Sequence, residues 1–176
     1  MKKHTLIFLD TETTGLDPSK QEIIELAAIA VEQSWDAQGH GSLRVTKEAE
    51  WKIKPEHIET AQPEALRING YTEEAWKDAI TLKDALTEFS VLARNGIAVG
   101  HNVSFDMGFL ETAFRTTGLP FPLHYHKLDT ISLAYAKLWD KKEVQAFSLK
   151  ALCEYFSITN ENAHTALADT RATLAL

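Results

Sequence analysis

At 176 residues, 44% of them hydrophobic, the chain is sized for one domain with a substantial core. A net charge of −7 argues against a broad basic face that wraps duplex DNA, although carboxylates gathered around divalent ions would be neutralised once loaded. The single cysteine, Cys153, excludes a disulfide framework and a cysteine-based zinc centre, and fits a reducing, cytoplasmic setting.

Along the chain, Leu6-Ile7-Phe8-Leu9 is an apolar, β-rich run too short for a signal peptide and interrupted by Asp10. Residues 5–10 read as a strand, 22–33 as a second, and 42–54 contain a third, which together make a meander. Pro63 to Ile68 reads as a short helix with proline in its first turn, closed by Asn69-Gly70. Another short helical piece is expected at 72–76. An amphipathic helix follows from Thr81 to Arg94, and Asn95-Gly96 stops it. Residues 97–101 form a short strand, 105–117 a helix ended by Gly118, and helices are expected at 130–139, 148–156 and 164–175. Cys153 reads as a small buried hydrophobe in the second of those three. A strand meander followed by alternating helices and strands points to an α/β domain with a mixed sheet flanked by helices, occupying residues 1–176 as one unit. No stretch is long enough to span a membrane, and no membrane partner is expected.

Three acidic motifs stand out. Asp10 and Glu12 close the first strand and lead into Thr13-Thr14-Gly15. Residues i and i+2 share a strand face, so the two carboxylates project together as a site for a hard cation, Mg²⁺ or Mn²⁺. Chance alone supplies ~0.8 Asp-x-Glu matches in so acidic a chain, so the strand-then-turn context carries the weight. His101-Asn102-Val103-Ser104-Phe105-Asp106 follows a strand and enters a helix. The plain alternative there is Ser104 as cap and Asp106 against the helix dipole. His164 and Asp169 form the third motif. Five residues of helix turn the direction by about 140°, so His164 must lie at or before the helix start for both to face one centre. Asn160 and Asn162 are candidate caps upstream.

The ordered set Asp-Thr-Glu-Thr-Thr-Gly, His-Asn-x-x-Phe-Asp and His-x₄-Asp resembles the DEDD exonucleases, in the branch with a histidine in the third motif. That branch includes the proofreading subunit of bacterial DNA polymerase III, ribonuclease T and oligoribonuclease. The resemblance covers nearly the whole chain and extends to Ile24-Glu25-Leu26-Ala27 and Leu128-Asp129-Thr130. It implies a ribonuclease H-like fold and stepwise release of nucleoside 5′-monophosphates from a single-stranded or frayed 3′ end of DNA or RNA. By position, Asp10, Glu12 and Asp169 would hold one of two divalent ions, Asp10 would bridge to the second, and Asp106 would reach them directly or through water. His164 would take the proton of the attacking water. Thr13, Thr14 and Leu16 would lie beside the terminal nucleotide, Gly15 would let the backbone bend close to it, and His101, Asn102 and Phe105 would touch substrate. Ordinary packing is the alternative for Leu16 and Phe105.

Residues 62–70 are closer to ribonuclease T than to the polymerase subunit. Leu16, Ile68 and Leu128, however, stand where ribonuclease T has aromatic stacking platforms, so RNA-end specificity is not implied. Docking to a polymerase through a C-terminal segment is not expected, because the sequence stops seven residues after Asp169. The rival functions are a 3′-end binding module and a proofreading accessory of a DNA polymerase. A homodimer is among the assemblies left open.

Overall fold

The computed structural model describes residues 2–160 and 164–176. Its centre is one five-stranded sheet in the order β3-β2-β1-β4-β5, with β1 Leu6–Thr13, β2 Ile23–Trp35, β3 Gly41–Lys52, β4 Ile97–Gly100 and β5 Lys127–Asp129. The first three strands pair antiparallel, while β1–β4 and β4–β5 pair parallel. This is the mixed sheet that the chain order implies.

The alternation of β1 sorts the core. Ile7 and Leu9 face a layer formed by α2 (Leu82–Leu92) and α3 (Val103–Thr117), where they join Leu86, Phe89, Leu110 and Phe114. Leu6 and Phe8 face the other side, where Leu167 and Leu174 of α6 (Ala166–Ala175) cover them. The first nine residues of β2 are all buried because both faces are covered, which is why they read as an almost unbroken apolar run. β3 is an edge strand and keeps Arg44, Lys47, Glu48 and Glu50 in or near solvent, a charged rim that discourages pairing with another sheet.

The remaining helices are α1 (Pro63–Ile68), α4 (Thr130–Leu138) and α5 (Leu149–Phe156), with a single 3₁₀ turn at Ile58–Thr60. Caps follow the sequence signals at α2, where the Thr81 hydroxyl accepts the Asp84 N–H, and at α5, where Ser148 accepts from Ala151. Gly118 closes α3 in the left-handed conformation, at φ 70°.

Several expectations are corrected. Residues 72–76 form turns rather than a helix: Trp76 is pulled into the core, its indole N–H donates to the Ile24 carbonyl, and Lys52 sits over its ring. The strand β5 is additional, being three residues long and without a readable period. Helix α3 starts at Val103, so Ser104 lies inside it and is not its cap. Asn102 caps instead, at φ 65° with no side-chain bond, and the Val103 N–H is satisfied by Asp129 Oδ2. Helix α6 starts at Ala166 rather than at 164 and is capped by Thr165. Asn162 lies outside the described residues, and Asn160 does not cap. Cys153 is free and buried. Among the described residues no helix is long and apolar enough to cross a membrane.

Candidate active site

Asp10 and Glu12 continue the row of Leu6 and Phe8 past the end of the apolar core, so they emerge on the face covered by α6. The first turn of α6 brings Asp169 to the same place. Carboxylate oxygens of Asp10, Glu12 and Asp169 lie within 4.8 Å of one another, the one such group of potential metal ligands among the described residues. Three oxygen donors at this spacing suit a hard divalent cation. The electrostatics agree. Burial first, and then the charges of Asp106, Glu12, Asp169 and Glu25, hold the Asp10 carboxyl well above the usual carboxylate range. Burial, followed by Asp169, Glu25 and Asp106, pushes Glu12 up to about 8, against a hydrogen bond from Asn69. Anions crowded this way, with no cation facing them, favour protonation or metal.

Asp106, expected to reach the ions directly or through water, is not one of the three clustered residues. It rises from α3 on the opposite side of the sheet, and its Oδ1 accepts both the Thr11 N–H at 3.0 Å and the Thr11 hydroxyl at 2.8 Å. It stays close enough to raise the affinity of Asp10 for a proton, but it stands outside the three-oxygen group. Burial raises its own carboxyl to about 7.

His164 precedes α6, exposed and at φ 71°, and its backbone N–H donates to Asp169 Oδ2 at 3.3 Å. The other carboxylate oxygen of Asp169 accepts from the Asn160 side chain at 2.7 Å. His164, Asn160 and Asp169 line one cavity of about 390 Å³ with Lys150 and Cys153. His101 opens the turn after β4. Its Nδ1 pairs with the Thr130 hydroxyl at 3.0 Å, while its Nε2 is buried without a partner. Burial pushes the His101 pKa below the ordinary imidazole value, against the backbone of Phe147 and the charges of Asp129 and Asp169. Asn102 is exposed beside it.

The turn after Glu12 forms a second cavity of about 260 Å³, lined by Glu12, Thr13, Gly15, Leu16, Ile68 and Phe105 among others. Leu16 is 72% exposed, so packing does not account for it. Phe105 is half-buried against Phe109. Thr13 lines the cavity but spends its hydroxyl on the Gly15 carbonyl. Thr14 does not line it: the residue is fully buried and its hydroxyl accepts the Glu22 N–H, so its role is to hold the turn. At Gly15 a Cβ would meet Gln21 Cγ at 2.6 Å and Gln62 Cδ at 2.9 Å, so a side chain there would push these two glutamines aside, and no left-handed φ is involved.

Three supporting residues had no role in the sequence reading. Glu25, opposite Glu12 in the β1–β2 ladder, is 2% exposed and accepts the Ala166 N–H at 2.9 Å, which docks the start of α6 on the sheet. Burial, offset by that bond and reinforced by Glu50, moves its carboxyl up to about 7. A charge inside so apolar a run was the available signal, because such a group is costly unless partnered. Asn69, read only as a helix stop, donates to the Thr13 carbonyl and steadies Glu12. Asn160, read as a cap, holds Asp169.

Comparison with known proteins places this geometry. A family model described as exonuclease matches residues 7–176. DNA polymerase III PolC-type proteins of Thermotoga petrophila and Oceanobacillus iheyensis are 31% and 30% identical over 170 and 174 residues, covering 96% of this chain and 11% of each relative. Escherichia coli exonuclease I in complex with a dT13 oligonucleotide superposes with a TM-score of 0.77 at 22% identity, over 98% of this chain and 40% of that one. A product-bound exonuclease I gives a TM-score of 0.75 at 21% identity, over 98% and 42%. The chain thus spans about a tenth of the polymerases and less than half of the nucleases it matches, and its sheet is ribonuclease H-like. A match running from the first strand to the last helix, on acidic motifs that fall in the expected order, establishes membership: the chain belongs to the exonuclease family, in its DnaQ-like, DEDD 3′→5′ branch.

Proposed function

We propose that the chain is a Mg²⁺- or Mn²⁺-dependent 3′→5′ exonuclease domain that shortens single-stranded or frayed ends and releases nucleoside 5′-monophosphates. The observation that carries this is the meeting of Asp10, Glu12 and Asp169 oxygens within 4.8 Å, from a first strand and a last helix. These three residues would hold divalent metal, with Asp106 completing the charge balance from behind Thr11. Such ions, when bound, stabilise charge on the attacking and leaving oxygens of a phosphodiester.

The chain's own residues supply the rest. His164, free at the mouth of the cavity it shares with Asp169, takes the proton of the attacking water. Asn160 and the His164 backbone fix the orientation of Asp169. The cavity from Thr13 to Leu16 receives the terminal nucleotide, with Leu16 as an exposed apolar wedge and Phe105 at its wall. His101 and Asn102 contact the end from the other side, Asn102 being exposed there.

A 5′-labelled single strand incubated with Mg²⁺ or Mn²⁺ should give a 3′-shortening ladder. Retained binding without a ladder would instead favour the 3′-end binding module. The likeness to PolC-type polymerases favours one biological setting, proofreading within or beside a replicative polymerase, and co-purification with a polymerase tests it. Particle mass in solution tests whether a homodimer is the working unit. Matched DNA and RNA oligomers decide the substrate sugar.

A further inference from the structure

The strip formed by α4 and the segment leading to α5 combines exposed aromatic rings with lysines and joins the candidate site. Of α4 only Thr130 and Leu138 are buried. Tyr135 is 60% exposed and Trp139 72% exposed, proportions that a soluble helix rarely leaves for large aromatics without use. Residues 130–150 contain Lys137, Lys141, Lys142 and Lys150 against Asp140 and Glu143, a net charge of +2 that leaves −9 on the remainder. Elsewhere Lys20, Arg44, Arg67, Lys77 and Arg171 each face a carboxylate, while others such as Lys47, Lys54, Lys83 and Arg94 are, among the described residues, in no ion pair. Among the described residues, the four lysines of this strip are in no ion pair.

The strip also starts at the site. Thr130 at its head bonds His101. At its other end the Phe147 backbone lies beside the same His101 ring, and the Phe147 side chain meets Tyr135 with ring centroids 5.4 Å apart. Lys150 lines the cavity shared by His164 and Asp169. From Thr130 to Trp139 the helix rises about 13 Å, so aromatic faces and ammonium groups extend from the catalytic end outward.

We propose that this strip is the track for the single strand upstream of the reacting 3′ end, with Tyr135 and Trp139 stacking bases and Lys141 and Lys142 meeting phosphates. The inference rests on the proposed exonuclease reading and adds where the rest of the substrate lies. Sequence-tolerant stacking beside unpaired cations is the chemistry that holds single-stranded nucleic acid. A symmetric dimer through this face would set the +2 strip against its own copy, whereas a single strand brings phosphates to it.

The test uses Trp139→Ala and the double variant Lys141→Glu/Lys142→Glu, all exposed positions away from the acidic cluster. On a 20-nucleotide thymidine strand, KM should rise about tenfold or more in either variant with kcat unchanged, while turnover of a dinucleotide stays as in the wild type. The salt dependence of binding, read by anisotropy of the labelled strand in EDTA, should lose about 1.4 in log–log slope in the double variant. Equal KM on the long strand together with equal binding would overturn the track. So would unchanged long-strand kinetics accompanied by loss of a dimer, which would give the face to a second copy. If the wild type cleaves nothing, the exonuclease reading fails, and the anisotropy arm still decides the track.

Discussion

At the scale of single residues, the carboxylates divide by function. Asp10 is charged only at a cost that metal offsets, so Asp10→Asn should abolish turnover, by more than 10³-fold, while the metal-free variant melts no lower than wild type in calorimetry at pH 7. His164→Ala should cut the single-turnover rate by roughly 10²–10⁴ while leaving the Mn²⁺ affinity of the acidic cluster unchanged in a calorimetric titration. Glu25 is buried and spoken for by the start of α6. Its task is to dock Ala166, and through that helix start to place Asp169 and His164. Glu25→Gln keeps an acceptor for the Ala166 N–H, so it should retain most Mn²⁺ affinity in a calorimetric titration, whereas Glu25→Ala should lose it together with stability. The sequence made Asp10, Glu12, Asp169 and His164 legible because metal chemistry needs those residue types in that order. It hid the roles of Glu25 and Asn69, whose partners are a backbone N–H and a backbone carbonyl from remote segments, and the turn-holding bond of the Thr14 hydroxyl to the Glu22 N–H.

At the scale of elements, strands and helices with a clear period were readable, and pieces fixed by tertiary contact were not. The apolar stretch before Asp10 could only be a core strand, but Lys127-Leu128-Asp129 shows no alternation and becomes β5 because β4 offers it a parallel edge. Trp76 turned 72–76 away from a helix by finding the Ile24 carbonyl in the core. Asp129 is the element-scale joint: one carboxylate oxygen accepts the Ile131 N–H at the start of α4 and the other the Val103 N–H at the start of α3. Asp129→Ala releases both helix starts and should cost about 1–3 kcal/mol in chemical denaturation. Because α3 and α4 carry Asp106 and Thr130, the same variant should raise KM more than it lowers the melting temperature would suggest.

At the scale of the whole molecule, the raised carboxyls set the pH response. Folding lifts Glu12 from 4.5 to about 8 and Asp106 from 3.8 to about 7, so the folded protein binds more protons than the unfolded chain across that interval. Stability of the metal-free protein should therefore, with respect to these groups, be greatest below about pH 4 and fall as pH rises to about 8. Saturating Mn²⁺ should raise the melting temperature most at pH 8 and largely remove that slope, and chelation should restore it. The sheet and its two layers were foreseeable from strand order, whereas the docking of α6 rests on a contact between Glu25 and Ala166, 141 residues apart. Synthesis on the ribosome is vectorial, and emergence of the chain takes on the order of ten seconds at typical elongation rates. Throughout that interval the nascent sheet carries Asp10 and Glu12 without their third partner, so a stalled or prematurely terminated translation product should be inert toward nearby transcripts and replication forks. Hydrolytic competence would be switched on by the arrival of one helix.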